Sequence, residues 1–286
     1  MSNKPISSGQ MTERTVVITG GNSGIGLVAA RELARLGARI VLACRDSDKT
    51  RAAVAEISAA GPVPAINLPV DLASLDSVRV LAESVLAACP RIDVLINNAG
   101  LFPSTQQKTV DGFEMQFGVN HLSHFLLTAL LRERLVASAP ARVITVSSML
   151  HKRGKIDFDS FRGVARYSAN AAYAQSKLAN VLFALELAEQ LAGTGVTSNV
   201  LHPGGVATDI TRDLPWLVRK LIGLVFITPE QGARTTVMLA SDPDLATTTG
   251  AYFDQCKRAE VSALAHDAAL RQRLWQDSLS LAGLPC

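Results

Sequence analysis

Short runs rich in valine, isoleucine and leucine alternate along this chain with longer stretches whose apolar residues recur at helical spacing. The short runs fall at residues 15–19, 39–44, 65–70, 94–97, 142–147, 197–201 and 251–253. Their apolar character is continuous, as expected of strands covered on both faces. The longer stretches, 24–36, 47–60, 74–88, 111–137, 172–192 and 229–240, read as helices. Strand, helix, strand, repeated, predicts right-handed crossovers and a parallel sheet. Neither a Pro/Gly/Ser-rich linker nor an internal repeat divides the pattern. The expected fold class is therefore α/β, a single-domain doubly wound parallel sheet with helices on both faces. Residues 1–13 are polar and read as a flexible tail, and 14–286 as the domain.

Composition narrows the function classes. The 286 residues are 48% hydrophobic, enough for a substantial core. A net charge of +3, dispersed along the chain, argues against nucleic acid as a partner. Cys44, Cys89, Cys256 and Cys286 show neither zinc-site nor disulfide-framework spacing, which suits a reducing compartment. The first 13 residues hold no apolar signal segment. The apolar stretch 214–227 is interrupted by Arg219 and Lys220 and is too short to span a bilayer. The expectation is a cytoplasmic protein with no transmembrane segment. Five histidines are present, and His121 and His124 are i, i+3 neighbours. Without further ligands no metal site is expected there. Phe113, Phe117 and Phe125 recur at spacing that suits a core-facing helix.

The first β-to-α junction carries a glycine-rich turn, Thr19-Gly-Gly-Asn-Ser-Gly-Ile-Gly26. Glycine permits a tight turn and close approach of a pyrophosphate, and a helix start offers free N–H groups and a positive dipole end. The spacing Gly20-x-x-x-Gly24-x-Gly26 is ambiguous as a motif, but a first strand before it and a first helix after it supply the context of a dinucleotide site. This points to a Rossmann-type arrangement. At the end of the second strand an acid would favour NAD by binding the ribose 2′-hydroxyl. Here Cys44 takes that place and Arg45, able to pair with a phosphate, follows it. The reading is NADP(H) over NAD(H). Asp46 is either a competing acid or the N-cap of the following helix.

Tyr173 and Lys177 are i and i+4 and share one helix face. A free phenol has a pKa of about 10. A nearby ammonium favours the phenolate, bringing the group toward the range useful for acid–base catalysis. Ser147 and Ser148, at the end of the 142–147 strand, both offer a hydroxyl, and alternation along a strand points them in opposite directions.

The glycine turn, Asn97-Asn-Ala-Gly100, Ser148, Tyr173-x-x-x-Lys177 and Pro203-Gly204 occur in the order seen in short-chain dehydrogenase/reductases. The chain resembles that family over residues 14 to about 255. Ala43-Cys-Arg-Asp46, the long segment before Tyr173, and Ser176-Lys-Leu-Ala-Asn180 look most similar to its retinol dehydrogenase and WW-domain oxidoreductase branch. Protochlorophyllide reductases resemble it more distantly. The resemblance implies Tyr173 as general acid/base and Lys177 as the group that binds the nicotinamide ribose and lowers the Tyr173 pKa. It implies Ser148 as donor to the substrate carbonyl and Asn120 as holder of a relay water. Gly20, Asn22, Ser23, Gly24, Ile25, Gly26 and Arg45 would bind the cofactor's phosphates and ribose. Asp71 would contact the adenine, with Leu72 beside it. Asn98, Ala99 and Gly100 would line the groove, and Pro203, Gly204, Val206 and Thr208 would hold the nicotinamide end. By the same resemblance a homodimer or homotetramer is expected.

Two segments exceed what the sheet needs, residues 151–170 and 209–228. Both follow strand ends on the ligand-binding edge of an open α/β sheet and are expected to shape the substrate site. The apolar part of the second, with Arg219 and Lys220, reads as a lid over a hydrophobic ligand, a helix in peripheral contact with a membrane surface, or a subunit contact. The expected activity is NADP(H)-dependent interconversion of a hydrophobic alcohol and its aldehyde or ketone. The alternatives are reduction of a conjugated carbon–carbon double bond and a non-catalytic NADP-binding redox sensor.

Overall fold

A computed structural model describes residues 9–204 and 228–285. The chain order is β1 (Thr15–Thr19), α1 (Gly24–Arg35), β2 (Arg39–Cys44), α2 (Asp48–Ala60), β3 (Ile66–Pro69), α3 (Leu75–Ala88), β4 (Val94–Asn97) and a short α4 (Met115–Phe117). Then follow a π turn (Gly118–Leu122), α5 (Ser123–Ala137), β5 (Ala141–Val146), α6 (Ala169–Gln190) and β6 (Val196–His202). The described part closes with α7 (Pro229–Ser241), β7 (Tyr252–Asp254), β8 (Lys257–Arg258) and α8 (Ala268–Leu281).

The strands form one sheet in the order β3-β2-β1-β4-β5-β6-β7-β8. Every neighbouring pair is parallel except β7–β8. The strand order reverses between β1 and β4, so the crevice at their C-terminal ends is the expected ligand site.

Alternation along each strand sends neighbouring side chains to opposite faces. Val17, Val41, Leu95 and Val143 join one core layer with α3, α5, α6 and α8. Val16, Ile18, Ile40 and Ile96 join the other with α1, α2 and α7. Phe113, Phe117 and Phe125 are buried in the first layer.

Four details differ from the sequence expectation or go beyond it. The 111–137 helix begins at Met115, capped by the buried Glu114 carboxylate, and passes through the π turn. Residues 9–13 are no free tail: Met11 is 4% exposed, and its N–H donates to Leu36 O at 2.8 Å. β8 and α8 carry patterns too short or too polar to stand out in the sequence. The segment 151–168 is tied to the core, with His151 and Phe161 buried, Phe161 stacked on Phe117 at 3.9 Å, and the Tyr167 hydroxyl donating to Glu114. Val206, Thr208 and the expected lid, apart from Thr228, lie outside the described residues. Among those described, no helix is long and apolar enough to cross a membrane.

Candidate active site

The turn after β1 is shaped by close backbone contact. Gly20 has φ +65°, and a Cβ there would sit 2.9 Å from Ala99 Cα. A Cβ on Gly26 would collide with the Gly20 carbonyl oxygen. Any side chain at either position would push the turn away from the end of β4. Asn98 binds the same turn, donating from Nδ2 to Thr19 O at 2.8 Å and Gly20 O at 3.3 Å. The Thr19 hydroxyl accepts the N–H groups of Asn98 and Ala99, both at 3.0 Å. Asn97 points the other way, to Thr128 at 3.0 Å.

The start of α1 is free of side-chain capping: Ser23 makes no cap hydrogen bond. Ser47, Ser74 and Ser168 each cap their helix by accepting a backbone N–H. The first-turn amides of α1 are thus available to an anion, with the helix dipole behind them. The glycine cradle and these amides fit a dinucleotide pyrophosphate.

At the end of β2, Cys44 is buried and bridged through its backbone to the Asn67 side chain. Burial pushes its thiol pKa up. Arg45 is exposed, with no carboxylate partner for its guanidinium among the described residues. Thr50 joins the two loops: its hydroxyl donates to Arg45 O at 2.7 Å and accepts from Asn22 Nδ2 at 2.8 Å. Asp46 does not cap α2; Ser47 does, and Asp46 pairs with Arg51 at 2.6 Å. Asp71, after β3, uses its carboxylate in a local turn by accepting Ala73 N–H. Leu72 O accepts the Ser123 hydroxyl at 2.6 Å.

Tyr173 and Lys177 emerge from α6 beneath the ends of β4 and β5, with relative exposures of 9% and 3%. Lys177 Nζ donates to Val146 O at 3.2 Å and lies 5.6 Å from the centre of the Tyr173 ring. A Cβ on Gly100 would lie 3.3 Å from that Nζ and 3.5 Å from Asn120 Oδ1, so Gly100 leaves the ammonium its approach to the groove. Asn120 sits in the π turn, a distortion frequent at functional sites. Its side chain accepts Leu101 N–H at 2.8 Å and donates to Leu101 O and the Ser176 hydroxyl, each at 3.1 Å. Pro203 and Gly204 follow β6 at the same edge, with Gly204 at φ +96°.

The two serines separate cleanly. Ser147 is buried and donates to Lys177 O at 2.7 Å, a structural contact. Ser148 neighbours the Tyr173 phenol and favours its ionised form, and its hydroxyl accepts Leu150 N–H at 3.3 Å. Burial raises that phenol to about 12, against the pull of Ser148. Burial likewise lowers the Lys177 ammonium to about 8. The expectation that Lys177 brings the phenol down is not met, because desolvation of both groups dominates. The pair holds a protonated phenol at neutral pH, a proton donor.

Sequence reasoning passed over three residues here. The Phe102 ring meets the Tyr173 ring edge-on at 5.1 Å, placing an apolar wall beside the phenol. His151 Nδ1 donates to Ser148 O at 2.7 Å, and its Nε2 accepts Ser262 N–H at 3.2 Å. Thr19 organises the end of β4. A histidine three residues after the serine was a visible signal; Phe102 and Thr19 had none apart from their place next to the motifs. Among the described residues, no cluster of three or more His, Cys, Asp or Glu is placed to hold a metal.

Comparison with known proteins agrees with this geometry. The short chain dehydrogenase family model matches residues 14–216. Human retinol dehydrogenase 14 is 46% identical over 296 residues, covering 96% of this chain and 88% of that protein. Mouse retinol dehydrogenase 12 is 47% identical over 278 residues, with the same coverage of 96% and 88%. A crystal structure of an uncharacterised Mycobacterium paratuberculosis protein superposes with a TM-score of 0.79 at 38% identity, covering 96% of both chains. The Pseudomonas aeruginosa RhlG/NADP active-site complex superposes with a TM-score of 0.71 at 27% identity, covering 87% of this chain and 97% of that one. The chain belongs to the short-chain dehydrogenases, in their retinol dehydrogenase branch, and is an oxidoreductase of alcohols and carbonyls.

Proposed function

We propose that this enzyme uses NADP(H) to interconvert a hydrophobic alcohol and its aldehyde or ketone, with Tyr173 as the general acid/base. The observation that carries the reading is the convergence of the Tyr173 phenol, the neighbouring Ser148 hydroxyl and the Lys177 ammonium beside an uncapped glycine turn. When bound, a nicotinamide cofactor supplies or accepts the hydride. Gly20, Asn22, Ser23, Gly24, Ile25 and Gly26 would hold its pyrophosphate, and Asn98, Ala99 and Gly100 would line its path to Lys177. Val206 and Thr208 belong to the proposed nicotinamide end, with Pro203 and Gly204.

In the reductive direction Ser148 and Tyr173 donate hydrogen bonds to the carbonyl oxygen, and Tyr173 gives its proton to the developing alkoxide. A phenol held near 12 is protonated throughout the neutral range and suits this step. Lys177 fixes the groove side of the site through its charge and its bond to Val146 O. In the oxidative direction the same phenol must first lose its proton, so alcohol oxidation is expected to rise with pH across the alkaline range.

An exposed Arg45 in place of an acid supports NADP(H), as does the NADP named with the Pseudomonas relative. Apolar surface beside the site, from Phe102 and the exposed Met149 next to Ser148, favours an apolar substrate. The relatives' names point to retinol, itself an apolar alcohol. The test is a screen of retinal, long-chain aldehydes and ketones, following NADPH absorbance with NADH alongside. Reduction of an apolar aldehyde with at least tenfold preference for NADPH is expected. Equal use of both cofactors removes the Arg45 argument, and loss of an alkene without a new hydroxyl replaces the carbonyl reading.

A further inference from the structure

The π turn and α5 carry two buried histidines, and no step above uses either. His124 has 0% exposure, and burial, reinforced by the Lys177 charge, pushes its imidazole down to about 4. Both ring nitrogens have partners. Nδ1 lies 3.0 Å from Asn120 O, and Nε2 lies 2.8 Å from the Thr19 hydroxyl. A carbonyl only accepts, so Nδ1 carries the hydrogen and Nε2 of the neutral ring is an acceptor. The Thr19 hydroxyl then donates to Nε2, while its two lone pairs take the N–H groups of Asn98 and Ala99. Every group here is satisfied in that arrangement, and the other acceptor within reach of the Thr19 hydroxyl, Ile96 O at 3.5 Å, is the longer contact. A second ring proton would face an oxygen that already accepts two hydrogen bonds.

The partners of His124 belong to two separate elements of the site, each in contact with the loop that follows β4. Thr19 ends β1 and begins the glycine turn; Asn98 and Ala99 follow β4 and touch that turn. Asn120 lies against the far end of that β4 loop, its side chain bonded to Leu101 and close to Lys177 Nζ and Gly100. At the π turn the Ser123 N–H reaches back to Gly118 O, and the Asn120 carbonyl takes an imidazole N–H. We propose that His124 is a positioning residue: as its Nδ1–H tautomer it holds the Asn120 carbonyl and the Thr19 hydroxyl together, so that the dinucleotide-facing loops and the Asn120 turn keep one fixed spacing. This rests on the NADP(H) oxidoreductase reading above.

Two variants separate the two contacts. His124→Gln places an amide oxygen near the Nε2 position and keeps an acceptor for Thr19. His124→Asn places an amide N–H near the Nδ1 position and keeps a donor for the Asn120 carbonyl. NADPH binding is measured by fluorescence titration, and steady-state reduction of an apolar aldehyde with saturating cofactor. For His124→Gln we expect NADPH affinity within about twofold of the parent and a fall in kcat of about tenfold, the effect of one lost buried hydrogen bond. For His124→Asn we expect NADPH affinity about tenfold weaker, with kcat at saturation within about threefold. Equal behaviour of the two variants, whether both intact or both losing stability with no split between binding and turnover, overturns the proposal.

The ring itself is read in the parent protein without cofactor by ¹⁵N chemical shifts. A protonated Nδ1 and bare Nε2 from pH 5.5 to 8 are expected; an Nε2–H tautomer, or titration within that range, overturns the proposal even if neither variant folds. If the parent protein binds neither NADPH nor NADH, the functional reading falls, an outcome separate from the tautomer.

Discussion

At the scale of single residues, the site consists of charged and titratable groups held where water is scarce. Lys177 is the costly member. Its folded pKa of about 8 lies below the ordinary 10.5, so the folded state resists the charged form. Stability from this group is fully present above pH 10.5 and falls as pH drops toward 8, because the unfolded chain then binds a proton the folded one does not. Lys177→Met removes the buried charge at similar volume, and Val146 O keeps its second donor, Asn180 Nδ2 at 3.2 Å. The variant is expected to lose turnover and gain stability at pH 7, on the order of 3 kcal/mol. The gain should shrink toward pH 10 in paired denaturant titrations. A variant less stable than the parent at pH 7 contradicts this account of the ammonium. Tyr173 has the opposite sign: its pKa is raised from 10 to about 12, so its contribution is full below pH 10 and is lost as pH rises through 12. Tyr173, Lys177 and the glycines were legible in the sequence because their chemistry depends on type and spacing. The direction of the Tyr173 shift was not, because it is set by burial, and residue spacing carries no dielectric.

Elements decide how these residues meet. The β1–α1 turn depends on the absence of a Cβ at Gly26, where one would meet the Gly20 carbonyl. Gly26→Val is expected to weaken NADPH binding at least tenfold while leaving the phenol and ammonium in place, measurable by titration. Unchanged affinity would mean that the phosphates do not lie on this turn. At the end of β2, Arg45→Glu is expected to reverse the cofactor preference toward NADH, seen as a rise in KM for NADPH with little change in kcat. The strands were readable because continuous apolar runs report burial on both faces. The π turn was not, since an extra residue in the ladder leaves helical spacing nearly intact across 111–137. β8 escaped for another reason. Its hairpin turns through Gln255 and Cys256 at φ +46° and +62°, without the Asn-Gly or Asp-Gly pair that marks such turns.

On the scale of the whole molecule, α8 ties α5 and α6 together. α8 lays Leu274 into the core, sets Trp275 against Phe125 and Phe183, and places Ser278 3.1 Å from His121. Only Leu274 and Ser278 of this helix are buried, which left its apolar stripe too thin to read from the sequence. Leu274→Ala is expected to cost about 2–5 kcal/mol and lower Tm without changing the ratio of NADPH to NADH use. A loss below about 0.5 kcal/mol would show the helix to be an appendage. The function we propose rests on one placement: the sheet, the glycine turn and α6 together would set one phenol where a carbonyl oxygen can take its proton. Tyr173→Phe tests it most directly, with NADPH affinity and aldehyde reduction measured on the same preparation. The account predicts affinity within about twofold and a fall in kcat of about 10² or more. Turnover at the parent rate with normal NADPH binding would contradict it.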